Sequence, residues 1–129
     1  MLSQAADVAL RFSTAGQQLA ALQNGVAQDL KNAVANVNEI AARIAQANDQ
    51  IAASFGAGQP ANDLLDERDR LISQLSAQVQ VTTIPAQDGT LGVFVAGGQR
   101  LVLGSSATQL ALVPDSFDPS RQRIAIVDA

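Results

Sequence analysis

Cysteine, histidine, tryptophan and tyrosine are all missing from this chain, and four phenylalanines are its only aromatics. Without cysteine it has no disulfide, no thiolate nucleophile and no cysteine-based zinc site. Without histidine it lacks the commonest metal ligand and the usual general base near neutral pH. Lysine is almost absent too: Lys31 stands alone, and the formal net charge is −4. An acidic chain this poor in lysine and aromatics has neither the basic stripe nor the stacking platforms of a nucleic-acid binder. No Gly-rich loop lies between a strand and a helix, so no phosphate or dinucleotide cradle is expected. No apolar run approaches the ~20 residues of a membrane span. The opening MLSQAADVAL has no basic stretch ahead of an apolar core, so no secretory signal peptide is visible; export by another route stays open.

What is present divides into two kinds of pattern. From Leu2 to about Ala53 there is no proline, and Ala, Gln and Asn dominate. Apolar residues recur at Phe12, Ala15, Leu19, Leu22 and Val26, then at Leu30, Ala33, Val37, Ile40, Ile44, Ala47 and Ile51. Steps of three and four alternate, which is a heptad seam on a long helix. Between Val26 and Leu30 a step of four replaces three, a stutter that locally unwinds a supercoil. Asn24-Gly25 falls just before it. Either the glycine is tolerated at ~1 kcal/mol against alanine, or a turn splits the helix there. The seam resumes at once, which favours a continuous or gently bent helix over about 2–53. SFGAGQPA, Ser54 to Ala61, ends it, because Gly56 and Gly58 allow positive φ and Pro60 cannot continue a helix. A second helix over about 62–78 follows, capped at or near Asn62, with Asp63 and Asp66 in or just past its first turn, where the helix dipole favours negative charge. Folding back on the first, it would make an antiparallel helical hairpin over residues 1–78.

After Val79 the period changes to two. VQVTTI, TLGVFVA, QRLVL, TQLALV and RIAIV read as short strands, separated by Asp88-Gly89, Gly97-Gly98, Gly104 to Ser106, and PDSFDPS from Pro114 to Ser120. Asp88-Gly89 and Gly97-Gly98 each suit a tight hairpin turn. The expected class is α+β: a long coiled-coil-like antiparallel helical hairpin, then a small antiparallel β meander of four or five strands. Residues 79–129 are read as the β-rich start of a second domain, incomplete at the C-terminus.

The stretch NDLLDERDRLISQL, Asn62 to Leu75, carries five consecutive charges from Asp66 to Arg70. On a helix, Leu64, Leu65, Leu71, Ile72, Leu75 and Val79 form the apolar face. Asp66 and Arg70 are spaced as an i,i+4 pair on the solvent side, worth ~0.3–0.5 kcal/mol. Glu67 and Asp69 also point mostly outward. A glycosidase-like acid/base pair needs carboxylates facing across a groove, which neighbours on one helix do not provide. Arg68 differs, because it lies on the apolar stripe, and an unpaired buried charge is very costly. It either snorkels to water or latches the two helices by bonding Asn48 or Asp49. Asp115 and Asp118 loosely resemble calcium ligands, but their spacing fits no EF-hand loop, and turn initiation explains them better.

The lengths do not match. A helix over residues 2–53 would be ~78 Å long, and the second helix covers only ~25 Å of it. Leu19, Leu22, Val26 and Leu30 are therefore expected to be more exposed than Ile44 and Ile51, which face the second helix. Isolated helices are marginal, so the unmatched seam calls for segments or subunits outside this sequence. That points to assembly rather than to a self-contained enzyme.

GQPANDLLDERDRLISQLSAQVQVTTIPAQDGTLGVFVAGGQRLVLG, Gly58 to Gly104, closely resembles the flagellar hook-associated protein 1 (FlgK) family of hook–filament junction proteins. Asn62, Asp63, Leu64, Leu65, Asp66, Arg68, Asp69 and Leu71 match the family's NDLLD-x-RD-x-L core. Asp88, Gly89, Gly98, Leu101, Val102 and Gly104 match its hairpin part, and LVPDSFDPSR, Leu112 to Arg121, is similar as well. The resemblance covers essentially the whole sequence, as an internal segment. It implies a structural component of the bacterial flagellum, extracellular, exported without a cleaved signal peptide. Its implied partners are other copies of itself in a ring, the hook protein and the second junction protein. No nucleic acid, membrane, small-molecule substrate or cofactor is implied. Two other classes remain: a cytoplasmic coiled-coil adaptor, which would self-associate through Phe12 to Ile51, and a carbohydrate-active module, for which Phe94 and Phe117 are too few aromatics.

Overall fold

The computed structural model describes residues 2–114, 117 and 122–127; Asp115 and Asp118 lie outside them. The elements are α1 (Leu2–Gly56), α2 (Asn62–Ser76), β1 (Val81–Pro85), β2 (Leu91–Val95), β3 (Gln99–Leu103), β4 (Ser106–Ala107), β5 (Gln109–Pro114) and β6 (Gln122–Val127). The fold is α+β. The chain forms two compact units, residues 1–32 and 33–129.

Within the first unit α1 is uninterrupted, and Asn24-Gly25 does not break it. A side chain at Gly16 or Gly25 would meet nothing within 4 Å, so neither glycine is needed for close packing. Local side-chain bonds accompany the helical ladder here, such as Thr14 Oγ1 donating to the Leu10 carbonyl at 2.9 Å.

In the second unit α1 buries Val34, Val37, Ile40, Ala41, Ile44, Ala45, Ala47, Asn48 and Ile51. This is broader than the heptad seam, because Val34, Ala41, Ala45 and Asn48 add a second row. A narrow two-position seam meets one partner helix, whereas a wider stripe faces a core. Here one cluster joins this stripe to Leu71 and Leu75 of α2 and to Val93, Val95, Leu101, Val102 and Leu110 of the strands. The core thus crosses residue 78, where the sequence reading put its domain boundary. Three bonds close α1: Gln59 N–H to the Ser54 carbonyl at 3.0 Å, Gly58 N–H to Phe55 at 3.1 Å, and Ala57 N–H to Ala53 at 3.1 Å. The first two form a Schellman motif with Gly58 at its left-handed position, φ 72°. At the start of α2 the cap position is Ala61, with no side-chain cap bond. Asn62 is the first helical residue, so the cap lies one residue before it. Only Asp63 is an acidic residue of the first turn.

The strands form two sheets, β1-β2-β3-β4 and β5-β6, not one meander. β4 is only two residues long. Beyond it, Thr108 occupies the carbonyls of β3: its N–H donates to Leu101 at 2.8 Å and its hydroxyl to Arg100 at 2.8 Å. The next strand, β5, pairs with β6. The β1–β2 loop is wider than a two-residue turn. Ala86 N–H bonds the Thr90 carbonyl at 2.9 Å, Gly89 N–H bonds Ala86 at 3.3 Å, and Gly89 has φ 87°, as in a turn followed by a left-handed bulge residue. At the β2–β3 turn positive φ starts one residue earlier than Gly97-Gly98, at Ala96 (φ 50°), and continues through Gly97 (φ 76°) and Gly98 (φ 127°). The ladder pairs Val93 with Val102 but Phe94 with Arg100. Leu101 is therefore a bulge residue, and the successive residues Leu101 and Val102 are both buried.

Candidate functional site

Asn48 is the polar centre of the core. It is 0% exposed, and an amide can make four hydrogen bonds, two as donor and two as acceptor. All four are made. Nδ2 donates to the Leu91 carbonyl at 2.9 Å and to the Gly104 carbonyl at 2.9 Å. Oδ1 accepts from Leu91 N–H at 3.1 Å and from Arg68 Nη1 at 3.0 Å. Arg68 Nη1 also donates to the Gly89 carbonyl at 2.8 Å. Arg68 is 8% exposed, and its buried Nε has no hydrogen-bond partner. Its bonded partners are thus a neutral amide and a backbone carbonyl. Burial pushes the guanidinium down from its ordinary pKa, and the neighbouring Asp69 carboxylate opposes that shift.

The loop that supplies Gly89 is itself braced. Asp88 Oδ1 accepts from Thr90 N–H at 3.0 Å and from Thr90 Oγ1 at 2.6 Å. These bonds favour the ionised form and hold the Asp88 carboxyl below its ordinary pKa. A Cβ on Gly89 would lie 3.4 Å from Ile51 Cγ2, so the loop packs closely on α1.

Of the other residues singled out in the sequence, Leu71 and Leu75 are fully buried beside Ile44 in the shared cluster. Ile51 is buried against the Gly89 loop. Leu64 and Leu65 are half-buried, and Asn62, Asp63, Asp66 and Asp69 are exposed. Arg70 does not pair with Asp66. It reaches Glu67 at 2.7 Å in an i,i+3 bridge, since two of its nitrogens bond that one carboxylate. In the 1–32 unit Leu19 (57%), Leu22 (66%) and Val26 (64%) are exposed, as is Phe12 (74%); Leu30 is half-buried.

Asn38 was not singled out from the sequence. Its amide donates to the Leu110 carbonyl at 2.9 Å and accepts from Leu110 N–H at 2.8 Å, so it bonds β5 as a neighbouring strand would. The available signal was an asparagine next to Val37 on the edge of an apolar stripe, since buried amides need partners. Among the described residues, no group of three or more His, Cys, Asp or Glu side chains could hold a metal ion. No described helix is long and apolar enough to cross a membrane.

The sequence profile of the flagellar hook-associated protein FlgK helical domain matches residues 1–129. The chain belongs to the FlgK family. Flagellar hook-associated protein 1 of Salmonella typhimurium is 40% identical to this FlgK-family chain over 130 residues, covering 99% of the chain and 24% of that protein. The Escherichia coli K12 protein of the same name is 42% identical over 120 residues, covering 92% of the chain and 22% of that protein. The chain thus spans about a quarter of the length of these curated relatives. Among solved structures, the flagellar hook junction protein FlgK from Burkholderia pseudomallei matches with a TM-score of 0.79 and 39% identity, over 88% of this chain and 20% of that one.

Proposed function

We propose that this chain is a structural part of the junction between hook and filament in a bacterial flagellum, with no catalytic role. The observation that carries the reading is 40% identity over 99% of the chain to a protein named flagellar hook-associated protein 1. The physical features agree with it. The buried polar pair Arg68 and Asn48 bonds to itself and to backbone carbonyls of the core rather than facing a substrate.

In this reading the exposed residues Leu19, Leu22 and Val26, with Leu30, form an assembly face. Their partners would be helices of the same protein type, arranged in a ring, and beyond them the hook protein and the second junction protein. An apolar stripe on a helix loses water contact only when another surface covers it. Residues 33–76 contribute the coiled-coil-like part, α2 running back along α1 with Arg68 as the polar tie. The exposed Asp63, Asp66 and Asp69 offer a negatively charged rim. The protein would act outside the cell after export without a cleaved signal peptide.

Immunogold microscopy with antibodies raised against this chain checks the reading on flagella from the source cells. Label confined to the hook–filament boundary is expected. Label along the whole filament, or absent from flagella, overturns the assignment.

A further inference from the structure

We propose that the Asn48 side chain serves as a rung of the β2–β3 ladder, and that this makes the helices and the four-stranded sheet one folding unit. The register carries the argument. Val93 pairs with Val102, so stepping two residues further along each antiparallel strand sets Leu91 opposite Gly104. No backbone pair forms there. Instead the Asn48 amide lies between the two, bonding the Leu91 carbonyl (2.9 Å), Leu91 N–H (3.1 Å) and the Gly104 carbonyl (2.9 Å). A side chain of α1 thus replaces the strand-to-strand rung at the open end of β2 and β3.

The other neighbour of Leu91 does not compete. It is Pro85 of β1, and because Ala86 N–H bonds the Thr90 carbonyl, Pro85 and Leu91 are the next, non-hydrogen-bonded pair, in which the Leu91 N–H and C=O point away from β1. Arg68 then ties the same amide to α2 and to the Gly89 carbonyl. Two helices, strand β2, the Gly89 loop and the turn at Gly104 therefore meet on the Asn48–Arg68 pair. Opening the sheet would take both carbonyl acceptors from the Asn48 amide and leave Arg68 with Asn48 as its one bonded partner, and removing α1 would orphan Leu91 and Gly104. Buried groups left unpaired are costly, so neither part opens alone. Asn38 repeats the device on β5 through Leu110. The inference does not rest on the flagellar role, and its test is indifferent to it.

Native-state hydrogen exchange on the intact chain, in increasing mild denaturant, tests it. Amides of Ile44, Leu71, Leu75, Val93 and Val102 are expected to merge into one opening transition. Strand amides that open at lower denaturant, while α1 and α2 stay protected, would overturn the proposal. This first arm needs no variant. In a second arm, Asn48→Leu, of similar volume, should lower protection of all five amides by a common factor of about a hundred, or ~2.7 kcal/mol. A loss confined to Val93 and Val102 would equally sink it.

Discussion

Arg68 shows how a charge is kept in a core without a bridging carboxylate. A bare buried cation would be strongly destabilising, and two good acceptors offset part of that. Arg68→Met keeps the stem but leaves the Gly89 carbonyl without its donor, so it should lower stability by ~1–3 kcal/mol in urea melts. A neutral or stabilising result would mean that the desolvation of the guanidinium outweighs its bonds. Asp88 offers a cleaner electrostatic test. Its carboxyl is held down mainly by the Thr90 hydroxyl and then by Thr90 N–H. A carboxyl whose folded pKa is depressed stabilises the fold above its unfolded value, and that contribution is lost as pH falls through the folded pKa. Thr90→Val removes the hydroxyl donor. The Asp88 pKa should rise toward the ordinary carboxylate value in an NMR titration, and acid sensitivity should begin at higher pH. The Arg68–Asn48 pairing was legible in sequence because an arginine on an apolar stripe must find an acceptor within reach of the fold-back loop. The Gly89 and Leu91 bonds were not, because backbone groups carry no residue-type signal. Asp66–Arg70 was misread for a related reason: spacing permits i,i+3 and i,i+4 equally, and only the rotamer of Arg70 selects Glu67.

At the scale of elements, burial and backbone conformation separate the effects. Leu71→Ala and Leu75→Ala should each cost ~2–5 kcal/mol, as buried leucine truncations do. Asp66→Asn, on the exposed side of α2, should change stability by ~0.5 kcal/mol or less. Thermal melts that ranked them the other way would invert the face assignment. Glycines divide the same way. Gly25 is helical with open space around it, so Gly25→Ala should raise helicity by circular dichroism and add ~1 kcal/mol of local helix stability. Gly89 has φ 87° and lies against Ile51; Gly89→Ala should be destabilising by ~1 kcal/mol or more in the same melts. Both helices were readable from their period, and α1 runs to Gly56 instead of about Ala53 because the Schellman bonds extend it. The strands were readable as alternating runs. Their division into two sheets was not, since alternation marks a strand but not its neighbour, and β5 pairs with β6 rather than with β3.

For the whole molecule, the distribution of buried surface sets where the chain opens first. Leu19, Leu22 and Val26 are more than half exposed, whereas Val37, Ile44 and Ile51 are buried. Amides from Phe12 to Leu30 should exchange rapidly in the isolated chain and those from Val37 to Ile51 slowly. Uniformly strong protection along α1 would show that residues 12–30 are held by something other than their own helical ladder. The sequence by itself determined the class, because a heptad seam, a proline-glycine loop and a run of period-two segments leave little besides α+β. It determined the missing chemistry as well, since a chain without cysteine or histidine cannot supply those groups. Only the tertiary structure decided that α1 buries a wide stripe against helix and sheet together, and that one core crosses residue 78. The physical reason is that periodicity reports which face is apolar, but not what covers it. The width of a buried stripe and the partners of a buried amide arise only when distant segments meet, as Asn48 meets Arg68, Leu91 and Gly104.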